Sequence, residues 1–203
     1  MIAVIDYDIG NLGAVANMFA RLGVNCAITS DASLVAQATG IVLPGNGSFD
    51  ACMRNFNESG LRTVVEQRVQ EAAIPLLGIC VGAQMLGHGS EEGTSPGLGW
   101  IDMKVRRFPQ LEGLRIPHMG WGEVRAARPD DALCRSLDPK ARFYFVHSYY
   151  LDPADQSDVL LHAHYGIDFA AGVARGNIWG VQFHPEKSHR FGKQLLGAFA
   201  ELC

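Results

Sequence analysis

The first half of the chain alternates short apolar runs with longer stretches in which apolar residues recur at helical spacing. Four short runs predict buried strands: IAVID (2–6), VNCAIT (24–29), GIVLPG (40–45) and LLGI (76–79). Three stretches between them predict helices: NLGAVANMFARLG (11–23), SDASLVAQA (30–38) and LRTVVEQRVQEAA (61–73). Because strand and helix alternate, the pattern indicates right-handed βαβ crossovers and a parallel sheet.

The second half of the chain consists mainly of strand-like runs without long helices between them. These runs are MKVRRF (103–108), GEVRA (122–126), RFYFVHSYYL (142–151), DVLLHAHY (158–165), FAAGVA (169–174) and IWGVQF (178–183). They predict antiparallel additions to the parallel sheet, and an amphipathic helix is predicted to follow over 188–202. No repeat or linker divides the chain, so we predict a single domain over residues 1–203.

Composition narrows the class of protein. The net charge of −4 gives no electrostatic footprint for nucleic acid or an anionic membrane. The N-terminal segment has no basic region before its short apolar run, and no run approaches the ~18 apolar residues of a membrane span. We therefore expect a cytoplasmic protein. The five cysteines are scattered without a C-x-x-C pair, which argues against a disulfide framework or a thiolate zinc site.

One cysteine lies in a pattern that predicts a nucleophile. Gly78-x-Cys80-x-Gly82 is the cysteine form of a nucleophile elbow, in which glycines permit a sharp strand-to-helix turn that exposes the central side chain. A helix N-terminus at this point would favour the thiolate. A buried core cysteine beside two packing glycines would give the same letters, so the assignment depends on partners elsewhere in the chain.

The second candidate segment, WGVQFHPEKS, supplies a base and a group to orient it. His184 ends a strand-like run, and Glu186 follows two residues later on the same face of an extended segment. A surface turn would explain this segment alone, but Cys80, His184 and Glu186 together favour acyl transfer. Such chemistry needs oxyanion donors, for which we predict the Val81 amide and the glycine-rich loop LPGNGSF (43–49).

These motifs together resemble a known family. GICVGAQML (78–86), the PG-x-G loop at 44–47 and FHPEKS (183–188) resemble the class I, triad-type glutamine amidotransferases. DYDIGNL (6–12), PHMGWGEV (117–124) and YFVHSYY (144–150) are similar to segments of the glutaminase subunits of imidazole glycerol phosphate synthase. The six segments extend over most of the chain and occur in the order found in that family.

The resemblance implies both a fold and an activity. The fold would be α/β and flavodoxin-like, with an open, mainly parallel sheet flanked by helices and extended by antiparallel strands. The activity would be hydrolysis of L-glutamine to glutamate and ammonia by a Cys80–His184–Glu186 triad, without a cofactor or a metal ion. The ammonia would pass to a (βα)₈-barrel cyclase, the other subunit of a heterodimer that makes imidazole glycerol phosphate in histidine biosynthesis.

The family's functional positions carry over to this chain residue by residue. The oxyanion hole would involve Val81, Asn46 and Gly47, and the glutamine-binding residues would be Gly47, Gln84, Ser148 and Tyr149. The residues that face the partner would be Asn11, Trp121, Tyr144 and Lys187.

The chain departs from the family pattern at two notable positions. Asn46 stands where the family generally has valine, and Gly122 stands where it generally has asparagine. Because asparagine tolerates positive φ better than β-branched valine, we predict that Asn46 eases the peptide rotation that forms the oxyanion hole. Glutaminase activity in the absence of a partner would then be raised.

Other functions remain open at the level of sequence. A paralogous glutaminase that supplies ammonia for amidino-sugar formation in surface-polysaccharide biosynthesis would share every motif used above. A stand-alone cysteine hydrolase would need the elbow and His184 but not Gln84 or the HSYY segment. A non-enzymatic binding module would be expected to have lost a member of the triad. His162-x-His164 has no carboxylate or thiolate at a suitable spacing, so we interpret it as structural.

Overall fold

The computed structural model describes all residues from 1 to 203. Its strands are β1 (Ile2–Ile5), β2 (Cys26–Thr29), β3 (Gly40–Gly45), β4 (Leu76–Cys80), β5 (Met103–Arg107), β6 (His118–Ala126), β7 (Arg142–His147), β8 (Tyr149–Pro153), β9 (Val159–Tyr165), β10 (Ile167–Arg175) and β11 (Ile178–Val181). The α-helices are α1 (Leu12–Arg21), α2 (Ala32–Ala36), α3 (Phe49–Glu58), α4 (Arg62–Glu66), α5 (Val81–Gln84) and α6 (His189–Ala200). A π-helical turn (Gln67–Glu71) and two 3₁₀ turns (Gln156–Asp158 and Pro185–Lys187) complete the elements.

The strands form one mixed sheet of eleven strands. Its parallel part has the order β2-β1-β3-β4-β11, which is the doubly wound order of a flavodoxin-like sheet. The sheet continues through the antiparallel strands β10, β9, β6 and β7, while β8 pairs with β10 and with β5. The predicted α/β class is therefore confirmed, and its antiparallel extension has six strands, one more than the parallel part.

Three local features differ from the sequence predictions. Helix α3 was not predicted, although Ser48 caps its N-terminus and Phe49, Cys52, Met53 and Phe56 form a buried face at helical spacing. The helix predicted over 61–73 ends as an α-helix at Glu66 and continues as the π-helical turn. The run 142–151 contains two strands rather than one, because the pairing partner changes from β6 to β5 and β10 at Ser148.

The helices cover the parallel part of the sheet with their apolar faces. In α6 the side chains of Phe191, Leu195, Leu196 and Phe199 are buried, as the amphipathic pattern predicts. They belong to one hydrophobic cluster that extends from Ile2 to Phe199. None of the helices has the length and apolar character needed to cross a membrane. The arrangement places the carboxyl ends of β3, β4 and β11 side by side, and the predicted catalytic segments follow these three strands.

Candidate active site

Cys80 occupies a strained strand-to-helix turn at the end of β4. Its backbone lies at φ 55° and ψ −113°, a conformation that costs a non-glycine residue free energy and that occurs mainly at functional sites. The flanking glycines are required by close packing. A Cβ atom on Gly82 would lie 1.9 Å from the Leu43 carbonyl oxygen, and one on Gly78 would lie 2.7 Å from the Gly82 carbonyl oxygen. The elbow interpretation thus has a steric basis.

His184 and Glu186 form a buried pair beside this cysteine. His184 Nδ1 and Glu186 Oε1 are 2.8 Å apart, and the side chains are 6% and 2% exposed. Burial lowers the pKa of His184, but the Cys80 and Glu186 side chains oppose burial and bring the pKa to about 9. His184 Nε2 has no hydrogen-bond partner, so this nitrogen remains available for proton transfer. The electrostatics favour an imidazolium beside the cysteine at neutral pH.

A cavity of about 250 Å³ opens in front of Cys80. It is lined by Asn46, Gly47, Cys80, Val81, Gln84, Glu92, Pro117, Val146, His147, Ser148 and Tyr149. The lining includes all the predicted oxyanion and glutamine-binding residues together with the nucleophile. The structure therefore brings these predicted residues into one cavity of a size suited to an amino-acid substrate.

Gln84 lines the cavity and has one buried polar atom without a partner. Its Nε2 atom donates to the Gln182 Oε1 atom at 3.1 Å and to the Tyr149 carbonyl at 3.4 Å. Its Oε1 atom is buried and has no partner. Because a buried unpaired acceptor costs free energy, the arrangement is complete only when a ligand donates to this oxygen. This geometry is consistent with the predicted role in binding glutamine.

The loop after β3 presents a second candidate oxyanion donor. The Cys52 thiol donates to the Asn46 carbonyl (Sγ–O 3.4 Å), and the buried Tyr7 hydroxyl donates to the Pro44 carbonyl. Since C=O and N–H are antiparallel across a trans peptide, the Gly47 N–H points away from Cys52. This N–H donates to the Oδ1 atom of Asn46 at 3.0 Å, so the Asn46 side chain occupies the donor. The other donor, Val81 N–H, opens α5 and is free of the helical ladder.

Replacing Asn46 with valine tests the predicted effect of this departure from the family. Asn46 is not at positive φ in the structure, whereas Gly47 is at φ 86°, so any rotation of the peptide has still to occur. We expect Asn46→Val to lower glutaminase turnover without a partner by about fivefold, a backbone effect of ~1 kcal/mol. Asn46→Ala is the matched control, because it removes the side-chain oxygen without adding a β-branch. Unchanged or higher turnover in Asn46→Val would contradict the prediction. Higher turnover in both variants would show in addition that the Asn46 side chain is inhibitory.

Three of the four predicted partner-facing residues form one surface cluster. The indole of Trp121 is 48% exposed and packs edge-on against Tyr144 and parallel to His189. Lys187 Nζ lies 5.7 Å from the centre of the Tyr144 ring. Asn11 is exposed at the N-cap of α1, which packs against the 3₁₀ turn that contains Lys187. This surface connects to the triad, because the Tyr144 carbonyl accepts the His184 backbone N–H at 2.9 Å.

Sequence reasoning missed several residues that belong to this site. Glu92 provides the only carboxylate in the cavity lining, and its Oε2 atom accepts the Phe49 N–H at the start of α3. His147 donates from Nδ1 to the Tyr149 carbonyl at 2.7 Å, and burial lowers its pKa to about 3. The acidic residues within a loop rich in glycine and serine were a usable signal for Glu92. The YFVHSYY segment contains His147, but its second contact, between Nε2 and His118 Nδ1 at 3.0 Å, comes from tertiary packing that no local pattern specifies.

Comparison with known proteins agrees with this geometry. The model of the family "Glutamine amidotransferase class-I" matches residues 3–201. The chain belongs to the class-I glutamine amidotransferase family. It is 46% identical to imidazole glycerol phosphate synthase subunit HisH 2 of Pseudomonas aeruginosa, over 100% of both chains. It is also 46% identical to subunit HisH of Bdellovibrio bacteriovorus, again over 100% of both chains.

A solved structure supports the fold of this amidotransferase domain. The structure of PurLQS from Thermotoga maritima superimposes with a TM-score of 0.75 at 18% identity and covers 98% of this chain and 97% of that chain. At this level of identity the similarity concerns the fold alone. The assignment to the amidotransferase family rests on the family model and on the sequence relatives.

Proposed function

We propose that this chain is the glutaminase subunit of imidazole glycerol phosphate synthase. It hydrolyses L-glutamine to glutamate and ammonia for a cyclase subunit, in histidine biosynthesis and in the cytoplasm. The observation that carries the proposal is the meeting of a strained Cys80 with a buried His184–Glu186 pair at one cavity. The full-length similarity to HisH subunits supports the choice of pathway.

The first half of the reaction forms a thioester. The Cys80 sulphur attacks the side-chain amide carbon of glutamine, and the carbonyl oxygen becomes an oxyanion. This oxyanion receives hydrogen bonds from Val81 N–H and from Gly47 N–H, once the Asn46 side chain has released the Gly47 donor. When the intermediate collapses, the C–N bond breaks and His184 donates its Nε2 proton to the departing nitrogen, which leaves as ammonia. Glu186 holds the imidazolium through Nδ1 during this transfer.

The second half of the reaction releases glutamate. A water molecule gives a proton to the now neutral His184 and attacks the thioester carbonyl. The C–S bond breaks, and the sulphur departs as the thiolate beside the restored imidazolium. The carboxylate of Glu92 lies in the same cavity and is the charge complement of the α-ammonium group of glutamine. Gln84 Oε1 supplies an additional acceptor for the substrate.

The partner subunit is a (βα)₈-barrel cyclase that binds at the surface of Trp121, Tyr144 and Lys187. An exposed indole with aromatic neighbours is the type of side chain that anchors protein interfaces. The Tyr144 carbonyl accepts a hydrogen bond from the His184 backbone N–H. Docking of the partner on Tyr144 can therefore change the geometry of the triad. The heterodimer thereby couples ammonia release to the presence of the acceptor enzyme.

The test of the proposed function is stimulation by the cyclase. We expect glutamine hydrolysis to increase by at least about tenfold when the histidine-pathway cyclase and its ribotide ligand are added, an effect within the range of allosteric coupling free energies. Ammonia release and glutamate formation are measured together, with Trp121→Ala as the interface control. A lack of both complex formation and stimulation would overturn the assignment to this synthase.

A second possible acceptor of the ammonia is tested by the same measurement of stimulated glutamine hydrolysis. The relative from Pseudomonas aeruginosa carries the number 2 in its name, HisH 2. A paralogous subunit that supplies ammonia for amidino-sugar formation would contain the same active site. Stimulation by a sugar amidotransferase partner, without stimulation by the cyclase, would favour that function over the histidine pathway.

A further inference from the structure

Gln182 is a fully buried polar residue that the proposed mechanism does not yet use. It follows β11 immediately and has 0% of its surface exposed. Strand β11 is parallel to β4, and the register places Val181 opposite Ile79. The next residues in this register are Gln182, directly after β11, and Cys80, the last residue of β4. The sheet therefore brings this amide to the nucleophile.

The direction of the hydrogen bonds around Gln182 follows from a backbone carbonyl. The Tyr149 carbonyl can only accept, so the contact at 3.4 Å identifies the Gln84 end as its NH₂ group. This NH₂ group also donates to Gln182 at 3.1 Å, which identifies the Gln182 end there as the carbonyl oxygen. The remaining Gln182 NH₂ group faces the Cys80 sulphur, with Nε2 and Sγ 3.9 Å apart.

We propose that Gln182 is a catalytic residue that donates a hydrogen bond to the Cys80 sulphur and holds Gln84 in its substrate-binding orientation. This inference rests on the proposed function, since it concerns the same nucleophile. A buried amide N–H without an acceptor costs free energy, and the sulphur is its one side-chain partner. Donation to a sulphur anion favours the anion over the neutral thiol. One side chain thus links the attacking atom to the binding of the amide substrate.

Gln182 does not titrate, unlike the ionisable groups that surround Cys80. The titratable neighbours are His184 after β11, Tyr7 after β1 and Cys52 on α3. Glu92 and His147 line the same cavity as Cys80. His184 attracts the thiolate, whereas ionised Tyr7 or Cys52 would repel it. Burial, together with nearby thiols, holds the pKa of Tyr7 well above its usual value, and burial raises the pKa of Cys52 to about 11. Tyr7 and Cys52 therefore stay neutral at pH values below these raised pKa values. The effect of a substitution at Gln182 on the alkylation profile can thus be separated from their titration.

The experiment measures alkylation of Cys80 by iodoacetamide as a function of pH, with mass spectrometry of the Cys80 peptide. We expect Gln182→Met, which keeps the volume but removes donor and acceptor, to move the midpoint upward by about one pH unit. The same variant is expected to raise KM for glutamine about tenfold through Gln84. Gln84→Met is the matched control, and it should raise KM while it leaves the alkylation profile unchanged.

Two further arms make the result decisive. Gln182→Asn stays polar but is one methylene shorter, and it should show the same upward shift if Gln182→Met fails to fold. An unchanged alkylation profile in the folded Gln182 variants, or an equal shift in Gln84→Met, would overturn the role of Gln182. A wild-type protein that releases no ammonia from glutamine would instead overturn the proposed function, because alkylation reports on the sulphur whatever the substrate is.

Discussion

Cys80→Ala is expected to reduce glutamine hydrolysis by at least about 10⁴-fold, because it removes the nucleophile on which thioester formation depends. The cavity walls and the oxyanion donors do not require the thiol, so the variant should still bind glutamine. Glutamate formation is measured in the steady state, and glutamine binding is measured by calorimetry. Loss of turnover with retained binding is the expected pair of results.

Two controls separate the nucleophile from other effects of a cysteine substitution. Cys26 is half-buried on β2, and Cys26→Ala should retain wild-type turnover. The synthase reconstituted with Cys80→Ala should still function with added ammonium salts, since only the supply of ammonia is lost. If turnover in Cys80→Ala fell less than about tenfold, covalent catalysis at this residue would be refuted.

The parallel half of the fold could be predicted from sequence because each element there has a strong local signal. The apolar runs of β1, β3 and β4 lie between amphipathic helices, and this alternation admits few topologies. Helix α3 was not predicted because it has only ten residues, and polar residues separate the apolar ones that form its buried face. The order of the antiparallel strands was also beyond prediction, since it depends on long-range pairing such as that of β6 with β9.

Some residues of the candidate site could likewise be predicted from sequence, whereas the roles of others depend on the three-dimensional structure. Cys80, His184 and Glu186 lie in motifs whose spacing has a chemical reason, and the resemblance to a family added Gln84, Ser148 and Tyr149. Gln182 lies in the same segment, WGVQFHPEKS, as His184. Its contact with Cys80 depends on the register between β11 and β4, which the sequence does not show. The occupation of Gly47 N–H by the Asn46 side chain depends on a rotamer, which no sequence pattern specifies.

Glu186→Gln is expected to lower kcat by about 10³-fold, since an orienting carboxylate on a catalytic histidine contributes an effect of this order. Glu186 Oε1 accepts the Nδ1 proton of His184 at 2.8 Å, and the charge of Glu186 supports the imidazolium that protonates the departing amide nitrogen. A neutral amide can keep the hydrogen bond but not the charge. Glu71→Gln, at an exposed position, provides the matched control and should retain wild-type kcat.

The same substitution has a distinct signature in pH. The pKa of His184 is raised to about 9 from an ordinary value of 6.5, with burial as an opposing influence and Cys80 and Glu186 as the supporting ones. The stability that this shift contributes is fully present below pH 6.5 and is lost as the pH rises through about 9. In Glu186→Gln the alkaline limb of the kcat/KM profile should move to lower pH, and the difference in Tm from the wild type should shrink between pH 6 and 9.5. An alkaline limb that stays in place would mean that Glu186 only packs against His184, whereas its movement requires the carboxylate charge to act on the imidazole.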